Sequence, residues 1–555
     1  MAAIDGPEVT SKASDLIAAE RSVVERARPT DGTAPTGLPV PSWRRRLSRS
    51  NPTVVDALAM LGVLVLLAFL WGRGRGIWYW GDEGLAVGIS SHPLADIPTL
   101  LRQDGSPPLY YWLLHVWTTV FGSTEAQTHG LSLIFALGSV GAAWWLGRSL
   151  FGRRVGWFLV ALTAVNPLLA VYANETRMYT LMVLLATLVV GSFLHVFVFR
   201  RRRYLPLLAV SLVLLLYTHN WALLLAVGAA AALVPCVLTA TDRRRVMTDA
   251  CLVFGAAALF YLPWVPTLLF QRAHTAAPWV IRPTLDLARD DIADLVGGAN
   301  AVIALGLGAG VTLVAMARRP WNRAALAVGV AVLLALVTVG LGWAASQSTP
   351  AWTFRYLSVV VPAVLLVAAV GLAGGGRLAI SALCVLAFLQ APIDVKVPPH
   401  QKSNVKAVAA ETAAQLRPGD LVVSHFGEIP ILAHYLPPGL RYASAEGVVP
   451  DERIADYRDS TERLRGTRPS ETLAPLLDAL PEGGHVLLVC PIVVQPEPER
   501  TEFLQLVEDR CNEMKRLLAD DTRLKLDRSI PAPVDLDVRN TMVDASLLTK
   551  QAPSA

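Results

Sequence analysis

The chain has 555 residues, of which 53% are hydrophobic and 17% charged, against roughly a quarter charged in an ordinary soluble protein. That deficit excludes a soluble globular enzyme and points to a membrane protein. The net charge of +5 is no nucleic-acid footprint, because the arginines sit in short clusters between apolar runs and report topology.

Residues 1–50 are rich in Ala, Pro, Thr and charge without apolar period, and are expected to be a disordered cytoplasmic tail. No apolar stretch precedes about residue 54, so no signal peptide is expected. A span needs roughly 20 apolar residues. Eleven stretches approach this, at about 54–71, 131–147, 156–173, 178–199, 204–218, 221–240, 250–270, 299–317, 324–343, 357–373 and 378–394.

With Arg44, Arg45, Arg46 and Arg49 placed in the cytoplasm, alternate counting puts the later Arg clusters there too. These are Arg148 to Arg154, Arg200 to Arg203, Arg243 to Arg245, Arg318 to Arg323 and Arg377; Arg73 and Arg75 are local exceptions. The opposite connections hold Asp82, Glu83, Asp96, Asp104, Glu175 and the acidic stretch Asp286 to Asp294. Pro107 to Phe121 is apolar but short, and spanning would invert every later cluster. It is therefore expected to be a re-entrant or interfacial helix, 107–121, in an outer loop 72–130.

The fold class that follows is a polytopic α-helical membrane protein of about eleven spans over 51–395, with an extracytoplasmic α/β domain over 396–555. In that domain Leu421 to Ser424 and Val486 to Cys490 are expected strands, and Glu411 to Leu416 and Glu502 to Leu518 expected helices. The residues from about 540 are expected to fray. Cys490 and Cys511 are open to either a disulfide or free thiols. No GxGxxG loop argues for a dinucleotide, and no Cys/His cluster has zinc-site spacing.

Polar side chains are costly at a membrane face unless paired or used. On the expected outer face they form short groups. Trp80-Gly81-Asp82-Glu83-Gly84 has glycines that let the backbone approach a ligand. Asp104 leads into Ser106-Pro107-Pro108-Leu109-Tyr110-Tyr111. The remaining groups are Asn174-Glu175-Thr176-Arg177-Met178-Tyr179, Tyr217-Thr218-His219-Asn220 and Phe354-Arg355-Tyr356. Each has a plain alternative: Glu175 pairing with Arg177, His219 capping a helix, Arg355 snorkelling to the interface, Asp104 serving a turn. His115 is taken as structural, and Asp286 to Asp294 as the exposed face of a short helix.

In their order and common side these pieces resemble the GT-C superfamily of membrane glycosyltransferases. They are most similar to the family 39 relatives, the protein O-mannosyltransferases and the bacterial aminoarabinose transferase, over roughly residues 54–394. The resemblance implies a multi-pass enzyme of the bacterial plasma membrane. It would move a sugar, mannose or an arabinose-type pentose, from a polyprenyl-phosphate carrier to an extracytoplasmic glycan, lipid or protein acceptor. It implies Asp82 as the catalytic carboxylate, Glu83 as its neighbour in the acidic motif and Glu175 as a second acid. It further implies substrate contacts from Asp104, Tyr110, Arg177, Tyr179, His219, Arg355 and Tyr356, with Arg177 and Arg355 taking the carrier phosphate. A divalent cation is compatible with three carboxylates, but no ligand spacing supports one, and no other cofactor is expected. The rival is a transporter or flippase of lipid-linked sugar, which predicts paired, broken spans near the bilayer middle.

Overall fold

The computed structural model describes residues 52–318, 322–390, 401–495, 500–533 and 542–552. The expected tail, the Arg44 to Arg49 cluster and the change of composition at Lys396 lie outside these residues. Residues 62–555 form one compact unit; residues up to Leu61, of which only the start of the first helix is described, form another.

The helices in chain order are α1 (Pro52–Gly72), α2 (Gly81–Ser90), α3 (Ile97–Asp104), α4 (Leu109–Phe121), α5 (Glu125–Phe151), α6 (Arg153–Ala164), α7 (Pro167–Tyr172), α8 (Tyr179–Phe193), α9 (Leu205–Leu216), α10 (Trp221–Leu238), α11 (Arg243–Tyr261), α12 (Val265–His274), α13 (Leu285–Asp294), α14 (Ala299–Ala317), α15 (Arg323–Ser348), α16 (Val361–Gly374) and α17 (Gly376–Gln390). Among the described residues seven stretches are long and apolar enough to cross a membrane: α1, α5, α8 with its π-helical extension to Val198, α10, α11 continued into α12, α14 and α15. The other four expected spans are helical but shorter. The stretch at 156–173 breaks because the Asn166 side chain accepts from the Leu169 N–H and Pro167 opens a new helix, α7.

Helix packing relies on small residues. Gly147 of α5 faces the backbone of Gly156 of α6, where a β-carbon would lie 2.8 Å from the Gly156 Cα. The expected re-entrant segment is the 13-residue helix α4. It buries Tyr110, Tyr111 and Leu114 while Val116, Val120 and Phe121 stay exposed. Successive long helices carry Arg clusters at one end and the predicted site residues at the other: α8 runs from Tyr179 towards Arg200, α15 from Arg323 towards Arg355, and α16 from Val361 towards Arg377.

The C-terminal part contains α18 (Val405–Thr412), β1 (Leu421–Ser424), α19 (Ile429–Tyr435), β2 (Arg441–Ser444), β3 (Gly447–Val448), α20 (Ser460–Gly466), α21 (Pro469–Asp478), β4 (His485–Pro491), α22 (Glu502–Asp520), β5 (Leu524–Ile530) and β6 (Val543–Lys550). One sheet has the order β3-β2-β1-β4-β6-β5; β1 runs parallel to β2 and β4, and the other pairs are antiparallel. Both expected strands and the helix from Glu502 are present, the last capped by Thr501. Two expectations are corrected. The helix placed at Glu411 to Leu416 lies earlier, as α18, because Val405, Val408, Ala409 and Thr412 make the buried stripe. Nor do residues 543–550 fray: β6 pairs along β4 and β5, with Leu547 and Leu548 buried. Cys490 and Cys511 are free thiols buried in one cluster.

Candidate active site

The first turn of α2 carries both acids of the loop motif, where the helix N-terminus favours negative charge. They point to different surroundings. Asp82 Oδ2 lies 3.4 Å from Arg355 Nη1 and 3.7 Å from Arg177 Nη2, and the Asp82 side chain is 18% exposed. Arg177 Nη1 also donates to the Asp82 carbonyl at 3.4 Å. The Arg355 guanidinium lies 5.3 Å from the Trp80 ring and about 6 Å from those of Tyr179 and Tyr356, a cation held over aromatic faces.

Glu83 is fully buried and saturated. Oε1 lies 2.7 Å from His129 Nε2 and accepts the Thr176 N–H at 2.7 Å; Oε2 accepts Lys402 Nζ at 2.6 Å. Burial alone would raise its pKa, but Lys402 and then His129 outweigh it and hold the carboxyl at about 2. Glu83 thus ties α2, α5, the 173–178 turn and the segment before α18 together. Its partners are none of the arginines that flank Asp82.

Glu175 is its counterpart with an unpaired oxygen. It is buried, its Oε1 has no hydrogen bond, and its backbone carbonyl accepts from Ser132 Oγ at 2.6 Å. Burial pushes its carboxyl up to about 7; Lys402 opposes this, and the Glu83 and Asp82 charges add to it. His219 packs its ring 4.6 Å from Tyr356 and accepts the Trp221 N–H on Nδ1 at 3.1 Å. Burial, then Arg177 and Arg355, drive it down to about 3, so it is neutral. The Tyr179 ring lies 6.2 Å from His219 and 6.5 Å from Tyr356, and its buried hydroxyl has no partner.

The structure therefore brings Asp82, Glu175, Arg177, Tyr179, His219, Arg355 and Tyr356 into one cluster. Tyr110 and Asp104 are held beside it: Tyr110 is fully buried with its hydroxyl 3.4 Å from Ser132 Oγ, and Asp104 accepts the Tyr111 hydroxyl at 2.8 Å. His115 Nδ1 lies 2.8 Å from the Ser90 carbonyl, a structural contact. Among the described residues no three His, Cys, Asp or Glu side chains are placed to hold a metal ion.

A family model described as dolichyl-phosphate-mannose-protein mannosyltransferase matches residues 105–270, less than half of the chain. The match includes Glu175, Arg177 and His219 but neither Asp82 nor Arg355. Among curated proteins none matches. Solved structures align over most of the length. ArnT from Cupriavidus metallidurans bound to undecaprenyl phosphate has a TM-score of 0.58 at 14% identity, covering 88% of this chain and 97% of that one. Its apo form gives 0.56 at 12% identity, covering 90% and 98%. The arabinofuranosyltransferase AftD from Mycobacteria gives 0.51 at 15% identity, covering 89% of this chain and 40% of that one. This chain has the GT-C glycosyltransferase fold.

Within that GT-C frame, residues that sequence reasoning missed hold the site in place. His129 fell outside the expected span of 131–147 because α5 begins at Glu125, a turn and a half earlier. Lys402 lies 319 positions from Glu83, and nothing in its local sequence marks it. The glycines of the α2 motif also have a different role from the expected one. Gly84 lies under Ile431, whose Cα would be 2.7 Å from a β-carbon there, and Gly88 lies under the Arg453 carbonyl. They admit α19 and its flanking chain, and so dock the C-terminal part onto α2.

Proposed function

We propose that this protein is a glycosyltransferase of the bacterial plasma membrane. It moves a sugar from a polyprenyl-phosphate carrier to an acceptor on the extracytoplasmic side, with the N-terminus cytoplasmic, 51–395 as the membrane-embedded catalytic part and 396–555 outside. The observation that carries this reading is Asp82 set between Arg177 and Arg355, beside the buried Glu175. A sugar on a polyprenyl phosphate has a leaving group already attached at its anomeric carbon, so no nucleotide-cradling loop is needed. The mannosyltransferase model over 105–270 and the fold shared with an undecaprenyl-phosphate-bound relative favour the same donor class.

In this mechanism an acceptor hydroxyl attacks the anomeric carbon as the carbon–oxygen bond to phosphate breaks, with inversion. Asp82 takes the hydroxyl proton. Arg355 and Arg177 receive the departing phosphate through charge-assisted hydrogen bonds. Nearby carboxylate charge helps the positive sugar ring of the transition state. Glu83 acts through position, holding the first turn of α2 so that Asp82 meets both arginines. Glu175 supports Asp82 from the buried side, while Tyr179, Tyr356 and neutral His219 form the polar-aromatic floor. The donor sugar is mannose or an arabinose-type pentose.

The test is transfer from labelled polyprenyl-phosphate mannose and polyprenyl-phosphate arabinofuranose by the purified full chain. Wild type is expected to transfer from one of them, and Asp82→Asn to lose about 10²- to 10⁴-fold, the usual span for general acid–base catalysis. Near-normal turnover by Asp82→Asn rejects it as the base, and transfer from a nucleotide sugar alone rejects the carrier.

A further inference from the structure

We propose that Glu428, supplied by the C-terminal domain, is an acceptor-positioning carboxylate, and that the acceptor is a glycan presenting neighbouring hydroxyls to Glu428 and Asp82. The proposal rests on the glycosyl-transfer reading above and deepens it.

Glu428 immediately precedes α19, the helix docked on the glycine face of α2. It lies against Gly81, the residue before Asp82: a β-carbon on Gly81 would be 3.6 Å from Glu428 Oε2 and 3.7 Å from Oε1. Its Oε2 is sealed from solvent and makes no hydrogen bond. Other acids of this domain near the junction are engaged: Asp451 with His92 at 2.7 Å, Asp456 with Arg458 at 2.6 Å and Glu446 with Arg463 at 2.8 Å. Glu428 has no such cation. The charged group that acts on it is Asp82, which adds to burial in pushing its carboxyl up to about 7.

The two carboxylates therefore differ in kind. Asp82 faces two guanidiniums that suit a leaving phosphate. Glu428 is an acceptor of hydrogen bonds in want of a donor, and a buried group left unsatisfied is destabilising. An acceptor with a single hydroxyl has one proton, which Asp82 takes. A sugar has a second hydroxyl on the adjoining carbon, which can donate to Glu428 while the first attacks. A serine or threonine side chain offers no such second group.

A cavity of about 710 Å³ opens between the ends of α3 and α12 and the C-terminal domain, with Gln103, Phe270, Phe426, Asp456 and Arg463 in its lining. Phe426 is two residues from Glu428, and Gln103 is next to Asp104. The Tyr457 N–H donates to the Gln103 carbonyl at 3.0 Å, joining the two sides. Aromatic faces for the apolar side of a pyranose or furanose ring, flanked by charged hydrogen-bonding groups, suit a saccharide.

The test uses the full chain in lipid nanodiscs, polyprenyl-phosphate mannose and arabinofuranose as donors, and octyl mannoside, octyl arabinofuranoside and a Ser/Thr peptide as acceptors. Glu428→Gln is expected to raise the KM for the octyl glycoside at least tenfold with the donor KM unchanged, and Glu428→Asp to recover part of that loss. Undecaprenyl-phosphate binding equal to wild type confirms that both variants are folded. A wild-type acceptor KM in Glu428→Gln, or wild-type transfer to the peptide in preference to both glycosides, overturns the inference while leaving the transferase reading standing. Wild type transferring to none of the three acceptors from either donor overturns that reading, and this inference with it.

Discussion

Lys402 Nζ lies 2.6 Å from Glu83 Oε2, and through this contact the segment leading into the C-terminal domain neutralises a carboxylate buried beneath the first helical turn after α1. The same ammonium donates to the Asn174 carbonyl at 2.8 Å, so one side chain joins the α2 motif, the Glu175 turn and the C-terminal part. The domain is thus part of the site's framework. Lys406 and Tyr435 add a second tie, meeting Glu125 Oε1 at 2.6 Å and 2.9 Å.

Breaking the Glu83 cage from one side leaves an uncompensated buried charge. Lys402→Met is expected to destabilise the protein by about 3–5 kcal/mol, the usual cost of removing one partner of a buried pair. Adding Glu83→Gln should restore part of that loss, because the stranded charge is gone. Thermal unfolding of the two single variants and the double variant in one detergent checks this; strictly additive losses would refute the coupling.

In the proposed mechanism Asp82 and the carrier phosphate compete for the same two guanidiniums. Asp82→Asn is therefore expected to bind undecaprenyl phosphate more tightly than wild type while transfer collapses. Arg355→Ala should do the reverse to binding and lose about 10²- to 10³-fold in kcat, as when one preorganised donor to a developing anion is removed. Equilibrium binding of the carrier beside turnover for both variants separates the two effects.

Three carboxyls set opposing pH dependences. Glu83, depressed to about 2, contributes stability that is present above its ordinary value near 4.5 and lost as pH falls through 2. Glu175 and Glu428, each raised to about 7, hold their protons more tightly folded than unfolded, so stability declines as pH rises from about 4.5 to 7 and then levels. The thermal midpoint should peak near pH 4.5 and fall by roughly a few degrees towards neutrality. The double variant Glu175→Gln, Glu428→Gln should flatten the neutral side and leave the acid side unchanged.

The glycine face of α2 sets how closely the C-terminal domain approaches. A β-carbon at Gly84 would lie 2.6 Å from Ile431 Cβ, and one at Gly88 would overlap the Arg453 carbonyl. Gly84→Ala and Gly88→Ala are expected to cost about 1–3 kcal/mol each through overpacking and to reduce transfer, the first by displacing α19 and the second by displacing the chain at Arg453. Faster protease cleavage within 401–495, alongside reduced turnover, is the confirming result.

Much of this molecule was legible in one dimension. The apolar stretches are helical over their described residues because in lipid every backbone polar group must be bonded within its own segment, so apolar length alone specifies a helix. Asp82, Glu175, Arg177, His219 and Arg355 could be singled out because polar residues bordering apolar runs carry a cost that needs a reason. Their chain order carried the likeness to the superfamily whose fold the structure has. Helix ends were less legible, since α5 starts at Glu125 with polar residues that a hydropathy reading discards.

What the sequence could not determine was which polar groups face one another. Asp82 and Glu83 are adjacent letters, yet one lies between two arginines while the other is locked away from them by His129, Lys402 and the Thr176 amide. Only tertiary structure decided this, because the helical turn sends successive side chains in different directions and their partners arrive from up to 319 positions away. Lys402 and Glu428 sit in ordinary soluble-looking sequence. They gain meaning only because the glycines of α2 let another domain approach closely enough to place charge beside Asp82.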